Sequence, residues 1–486
     1  MPHNPTPEQA LIIEAAVKTK DNILISALAG AAKTTTLDMI CRAMPGQPIL
    51  SLAFNKRIAE EMAKRLPEWV SASTINSLGH RAWSAKIGKR LIVETKKSYG
   101  LLKEEVEAFK GRAKSEAYET FTDTLHAVSR AKLNGYIPEG KFIEIKRVIT
   151  LQDFLDSFDE GLTSEQLALV DQVLVRSIKQ AFDGIIDFDD QIYMPSLFGG
   201  VFPKFPINLV DEAQDLSALN MLFLQKLVVD RRLMAVGDRN QSIYAFRSAS
   251  TRSMETMKSL FNMREMTLSI SFRCPVEIVK LVRKHTPSMQ WADWAKAGHI
   301  EHLSQWDAQS IPESAAVICR NNAPLIKLAY RLLRAQRGVK LVGTDLGPQL
   351  VRAFKKLGPE SLTQSQVLEA IDKWEAERLR KSKSKASIND KAECLRVFAG
   401  FGPTMSAAIA YVEKMFASGG SIQLLSGHKA KGLEWDVVYH LDPWRIPSKW
   451  AETDEDLAQE ANLDYVISTR SKDQLYFINL EDMVYA

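Results

Sequence analysis

Short apolar runs recur along the chain, each followed by a longer stretch with helical spacing. The runs cover residues 22–26, 48–54, 206–210, 233–236, 315–319, 422–425, 437–441 and 475–478. They are short and almost continuously apolar, which is the pattern of strands buried on both faces of a parallel sheet. Helical stretches between them complete strand–helix–strand units, so parallel α/β sheets are the expected architecture. Two stretches break this rhythm. Residues 86–180 and 346–420 read as mainly helical insertions into the α/β cores. The portion 86–97 is basic. Residues 378–385, a run of Arg, Lys and Ser after Glu377, read as a solvated or mobile loop rather than a binding site.

At 486 residues the chain is long enough for several domains or subdomains. Its 45% hydrophobic and 25% charged residues are ordinary for a soluble protein. A net charge of +4 permits nucleic-acid binding without requiring it, because binding charge is local. Cys41, Cys274, Cys319 and Cys394 show no metal or disulfide spacing, which fits a reducing cytosol. No run approaches the roughly 18 apolar residues of a membrane span. The N-terminus lacks a signal peptide's charged start and apolar core. A cytoplasmic protein without a membrane partner is therefore expected. No internal repeat suggests a solenoid.

Two segments carry chemistry. The run at 22–26 enters Ala27-Leu28-Ala29-Gly30-Ala31-Ala32-Lys33-Thr34 and then a helical stretch from Thr35. Strand, small-residue loop, Lys-Thr and helix form a phosphate cradle. Backbone N–H groups from Ala29 through Thr35 approach phosphates, Lys33 reaches the β and γ phosphates, and the Thr34 hydroxyl ligates Mg2+. Glycine usually stands directly before the lysine. Here it is Ala32, whose methyl is expected to crowd the β-phosphate. Alone, the loop also reads as an Ala-rich strand-to-helix turn. The second segment is Asp211-Glu212-Ala213-Gln214-Asp215, directly behind the run at 206–210. An acid there orders a metal's shell, and the next orients and deprotonates a water. Together the two segments point to ATP hydrolysis with Mg2+.

Further strings follow: Gly237-Asp238-Arg239-Asn240-Gln241-Ser242-Ile243-Tyr244-Ala245-Phe246-Arg247, Ser271-Phe272-Arg273-Cys274-Pro275, His428-Lys429-Ala430-Lys431-Gly432-Leu433-Glu434-Trp435 and Tyr465-Val466-Ile467-Ser468-Thr469-Arg470. With them the chain resembles the UvrD/Rep family of superfamily 1 DNA helicases, in motif order from Gln9 to Arg470. Residues 53–61 and 428–432 are similar to the branch that includes the F-box-containing helicases. No F-box segment precedes Gln9, and a compact bacterial or phage member is expected. The chain ends shortly after Arg470, so a fused nuclease is not expected.

The resemblance implies two RecA-like parallel-sheet motor domains, each with an inserted mainly helical subdomain. The first motor would be 1–85 with 181–262, interrupted by 86–180. The second would be 263–345 with 421–486, interrupted by 346–420. By the same resemblance Gln9 reads the adenine edge and Phe272 stacks on adenine. Gln241 senses the γ-phosphate, Arg273 and Arg470 reach it from the second motor, and Glu434 contacts the nucleotide. Lys33, Asp211 and Glu212 keep the roles given above, with Thr34 and Asp211 at the metal. The track for single-stranded DNA would use Phe54, Lys56, Thr74, Phe246, Arg247 and His428. The stretch 187–190 (Asp187, Phe188, Asp189, Asp190) is expected to be architectural.

The implied activity is ATP hydrolysis coupled to 3′-to-5′ movement on single-stranded DNA and unwinding of duplex. Partners would be single strands, single/double-strand junctions and a single-stranded DNA-binding protein. Two alternatives stay open: an ATP-inactive or weakly active single-stranded DNA-binding protein, raised by Ala32, and an RNA-directed motor. Asn462 stands where the family often has Arg. The insertion at 346–420 is smaller than the autoregulatory subdomain of larger relatives.

Overall fold

The computed structural model describes residues 4–53, 56–158, 161–243, 253–343, 346–381, 385–417 and 419–484. The chain divides into two units, residues 1–27 with 32–268 and residues 28–31 with 269–486.

The first unit contains β1 (Asn22–Ala27), β2 (Ile49–Ala53), β3 (Val70–Thr74), β4 (Ile92–Val93), β5 (Ile185–Ile186), β6 (Ile207–Val210), β7 (Arg232–Gly237) and β8 (Met263–Leu268). Six of them form one sheet in the order β3-β2-β6-β7-β1-β8, and every pairing is parallel. β2 and β6 are buried along their whole length. Helices cover such strands on both faces, so an apolar side chain suits either direction. Ala235 of β7 pairs with Leu24 of β1 on one side and Val210 of β6 on the other. Because the three strands run parallel, the loops leaving their C-terminal ends share one edge. The unit extends through β8, beyond the 262 boundary expected from the sequence, because β8 pairs with β1 along its length.

The helical insertion has a core of its own around Leu102, Val128, Phe154 and Val173. A separate cluster with Trp83, Ile178, Tyr193 and Met194 packs beside it. A buried charge network crosses the same region. Lys132 Nζ lies 2.6 Å from Asp187 and 2.8 Å from Asp190, and Lys97 Nζ lies 2.7 Å from Asp190. Lys132 and Asp190 are fully buried. Burial opposes the charge on Asp187, but Lys132 outweighs it and holds the carboxyl down to about 2. Asp187 and Asp190 also accept each other's backbone N–H. The network ties the helices Lys97–Glu107, Phe121–Asn134 and Asp190–Phe198 together.

The second unit contains β9 (Ile270–Ser271), β10 (Gln290–Trp291), β11 (His299–Leu303), β12 (Ala316–Cys319), β13 (Val339–Leu341), β14 (Ile422–Ser426), β15 (Trp435–Leu441) and β16 (Ser471–Ile478). Its six-stranded parallel sheet runs β11-β16-β15-β12-β14-β13. The helices Leu346–Leu357, Gln364–Lys381, Lys385–Ala399 and Met405–Ala417 occupy the insertion. They share one core with the sheet: Phe354, Ile371, Phe398 and Val412 pack in the same cluster as Val317 and Leu424. The stretch 378–385, expected as a loop, is helical at both ends, with 382–384 outside the described residues. Residues 378–381 complete the helix Gln364–Lys381, which carries Val367 and Ile371 into the core. Among the described residues no helix is long and apolar enough to cross a membrane.

Replacing Lys132 with Ala leaves Asp187 in the interior without its cation and Asp190 with Lys97 alone. The expected loss is about 3–5 kcal/mol, the usual cost of halving a buried ion pair. Urea unfolding of wild type and Lys132→Ala measures it. A loss below about 1 kcal/mol, the range of an exposed pair, would mean the network is solvated.

Candidate functional site

The loop after β1 turns into the helix Lys33–Arg42 through Ala32, which holds φ 55° and ψ 42°. That left-handed conformation costs a residue with a Cβ about 1–2 kcal/mol. Glycine suits this position for a backbone reason, in addition to the crowding expected from the sequence. Gln9 is buried, and its Nε2 donates to Thr36 Oγ1 at 3.0 Å. Thr36 Oγ1 in turn donates to the Ala32 carbonyl at 3.1 Å. Gln9 therefore buttresses the loop, with its Oε1 already accepting the Thr6 N–H.

The acids stand where β6 ends. Lys33 Nζ lies 2.8 Å from Glu212 Oε2. Thr34 Oγ1 donates to Asp211 Oδ2 at 3.4 Å, and the Glu212 N–H donates to Asp211 Oδ1 at 2.8 Å. Glu212 also occupies the left-handed region, at φ 54°. Strain of this kind on a non-glycine residue gathers at functional sites. Gln214, to which the sequence analysis gave no role, links the acids to the loop after β7. Its Nε2 donates to Glu212 Oε2 at 2.6 Å, and its Oε1 accepts the Asp238 N–H at 3.0 Å. Gln241 Nε2 donates to Asp238 Oδ2 at 2.6 Å. Gly237 is needed here because a Cβ would lie 2.7 Å from Gln214 Oε1.

The electrostatics follow from one ammonium among three carboxylates. Burial opposes the charge on Lys33, yet Glu212, Asp211 and Asp238 together raise its pKa. Burial pushes the Asp211 carboxyl up to about 6, Glu212 adds to the push, and Lys33 opposes it. Burial also raises the fully buried Asp238. The surplus of carboxylate over ammonium, with the Thr34 hydroxyl beside Asp211, is a hard-oxygen donor set that fits Mg2+. That ion binds through one or two carboxylates together with phosphates.

In the second unit, Arg273 Nη1 lies 3.3 Å from Glu434 Oε2. Its Nε and Nη2 are buried with no hydrogen-bond partner among the described residues. Buried guanidinium donors left open in this way fit an anion. Phe272 is half-buried, with the exposed Trp294 ring 5.8 Å away. Trp294 lies 19 positions beyond Pro275, the last residue of the preceding motif string, so no string pointed to it. Arg470 is buried and directed inward: Nε donates to Val466 O at 2.9 Å, Nη2 to Thr469 Oγ1 at 3.0 Å and Nη1 to Leu433 O at 3.2 Å. The Ala29 N–H donates to Tyr465 Oη at 2.7 Å, another contact that spacing does not reveal.

The expected DNA track is only partly described. Phe54, Phe246 and Arg247 lie outside the described residues. Lys56 is exposed at the start of the helix Lys56–Arg65, with Glu60 3.6 Å away. Thr74 ends β3 and caps the next helix by accepting the Ser77 N–H. His428 is half-buried in the short helix Gly427–Ala430 after β14.

A parallel sheet whose strand ends gather a lysine, a hydroxyl and paired acids defines a class of phosphate-handling motor domains. Residues 6–262 match the UvrD/REP helicase N-terminal domain family, and residues 383–482 match the UvrD-like helicase C-terminal domain family. The chain belongs to the UvrD/REP helicase family. It is 24% identical to the F-box DNA helicase protein 1 of Schizosaccharomyces pombe, over 99% of this chain and 58% of that protein. It is also 24% identical to a probable DNA helicase II homolog of Mycoplasma genitalium, over 49% of this chain and 35% of that protein. The chain thus spans less than two thirds of either relative.

Two expectations follow. Asp211 keeps its proton to about pH 6 when folded, against an ordinary 3.8. Between those values the folded state binds more protons than the unfolded one. Asp211's contribution to stability is therefore full below 3.8 and is lost as pH rises through about 6. Asp211→Asn should gain on wild type across that window and stay ahead above it, while losing hydrolysis. Denaturant midpoints of both proteins at several pH values read the difference. A constant difference would mean that Asp211 titrates normally.

Ala32→Gly should relieve about 1–2 kcal/mol of left-handed strain. It should lose about 0.4–1 kcal/mol to a more flexible unfolded chain. The net is a small stabilisation, visible as a higher Tm, with only a modest change in ATPase rate.

Proposed function

We propose that this chain is an ATP-driven DNA helicase that moves 3′ to 5′ on single-stranded DNA and unwinds the duplex ahead of it. The observation that carries this reading is Lys33 between Glu212 and Asp211, with Thr34 beside Asp211. Without nucleotide, Glu212 is the partner of Lys33. When a triphosphate enters, Lys33 turns to the β and γ phosphates and Glu212 is left to accept a proton from the attacking water. Gln214 keeps the Glu212 carboxylate aimed during that exchange. Thr34 and Asp211 would hold Mg2+, which supplies positive charge to the phosphate oxygens when bound. Arg273 and Arg470 are the proposed cations for the γ-phosphate, and Gln241 the proposed sensor. The open donors on Arg273 support its part. Gln9, Phe272 and Glu434 are proposed to hold the nucleoside end.

The same reading assigns Phe54, Lys56, Thr74, Phe246, Arg247 and His428 to the strand. Junctions and a single-stranded DNA-binding protein are the proposed partners. The cytoplasm of a bacterial or phage-infected cell is the proposed setting, in keeping with four free, buried cysteines. An ATP-inactive DNA-binding protein is the weaker reading, because a charged cluster this costly to bury is hard to explain without a ligand.

Strand displacement on duplexes carrying 3′ or 5′ tails tests activity and polarity together. Unwinding only from 5′ tails would overturn the direction. Stimulation of ATPase by poly-U but not poly-dT would move the substrate to RNA. Lys33→Ala should abolish turnover. Arg470→Lys keeps a cation in a crowded position. It should still lower kcat strongly, toward the factor of about 10³ seen when an arginine finger is lost, with nucleotide binding and circular dichroism retained. Near-normal turnover in Arg470→Lys would remove Arg470 from the catalytic set.

A further inference from the structure

A cavity of 520 Å³ opens in the second unit, away from every residue assigned above. One side is the helix Asn322–Arg334, which presents Lys327, Arg331 and Arg334. Spacings of four and three place these cations on one helix face. Across from them are Gln309, Phe401 and the segment after β16, and among the described residues no carboxylate lines the cavity. Neighbouring acids are engaged elsewhere: Asp307 accepts the Gln309 and Ser310 N–H groups, and Asp482 accepts from Asn479 Nδ2. Among the described residues neither Lys327 nor Arg334 has a carboxylate partner, whereas Arg331 is anchored through Nη1 to the Leu480 carbonyl. The Tyr330 and Phe401 rings stack at 4.4 Å and 18°, and the Arg334 guanidinium lies 5.8 Å from the Tyr330 centroid.

We propose that this cavity is a second nucleic-acid contact, taking a single strand at a place separate from the motor's track. Phosphates meet Lys327 and Arg334. A base continues the Tyr330–Phe401 column on the face that Arg334 covers. An acidic peptide would also be drawn to the cations, but it has no use for a stacked aromatic pair. Cations beside an aromatic stacking platform are what sequence-tolerant strand binding uses. The choice of ligand rests on the nucleic-acid reading above; the location does not.

The test uses the charge-reversed double variant Lys327→Glu with Arg334→Glu, both at exposed positions, in the full chain. One probe is an oligo-dT of about 8 nucleotides, the size of a single site. The other is several times longer and reaches both sites. For the long probe, losing two phosphate contacts should reduce the slope of log affinity against log salt by about 1.4. Affinity in dilute salt should fall roughly tenfold or more, in line with the same slope. Short-probe affinity and DNA-stimulated ATPase should be unchanged. A long oligonucleotide carrying 5-iodouracil should cross-link under light to a peptide containing Tyr330 or Phe401. An unchanged long-probe slope, or cross-links confined to other peptides, overturns the proposal. So does binding of polyglutamate at this cavity in place of the oligonucleotide. If wild type binds neither probe, the nucleic-acid reading itself has failed, and the short-probe arm separates that outcome from failure of the second contact.

Discussion

Lys33 stands among three carboxylates, and the parallel sheet beneath them keeps the four charges together. β6, β7 and β1 are neighbours, and their parallel pairing brings their C-terminal ends to one edge. Each then delivers one part: Asp211 and Glu212 from β6, Asp238 from β7, and the loop to Lys33 from β1. Such a group is costly to bury, and with every carboxylate ionised it carries a surplus of negative charge. The surplus appears as a proton held on Asp211 to about pH 6. A bare triphosphate would add to that charge and be repelled. A triphosphate accompanied by a divalent cation would not, because the cation would offset that surplus. A cluster of this charge would favour metal and nucleotide together over either alone.

The positions that turn the chain at this site are strained in the same sense. Ala32 and Glu212 both hold positive φ, one before the lysine and the other at the acid it contacts. Neither has the freedom of glycine. Their conformations persist because Thr36 holds the Ala32 carbonyl and Gln214 holds the Glu212 carboxylate. Gln9 and Gln214 share this kind of work. Each uses a neutral amide to fix a charged or strained neighbour without adding charge of its own.

This division explains what could be read from the sequence. Strands such as β6 and β12 were legible because burial on both faces makes them almost continuously apolar. The strands β3 and β8 and the edge strand β11 were not, because Val70–Thr74, Met263–Leu268 and His299–Leu303 carry polar or charged residues on exposed faces. Lys33, Thr34, Asp211 and Glu212 were legible because reacting groups sit beside their own strand ends. Gln214, Trp294 and Tyr465 act on partners distant in sequence, and a neutral or aromatic side chain gives no sign of its partner. Lys97 closes the basic run 86–97, yet it is buried against Asp190. Composition records that a cation is present; only packing shows whether water or a carboxylate surrounds it.

The two insertions differ in a way that bears on control. In the first unit the insertion has its own apolar core, and a directional charge network anchors it. In the second unit Phe354, Phe398 and Val412 belong to the same packed cluster as Val317 and Leu424 of the sheet. A segment can rotate as a body only if its core stays closed while it moves, and few contacts must cross the hinge. Turning 346–417 away from its sheet would open that shared core and expose Phe398 together with Leu424. Each large apolar side chain brought into water costs about 1.5–3 kcal/mol, so such a rotation resembles partial unfolding more than a swivel. Control by swinging this insertion therefore fits this chain poorly. Regulation that leaves the shared core intact, through ligands on its surface, fits better.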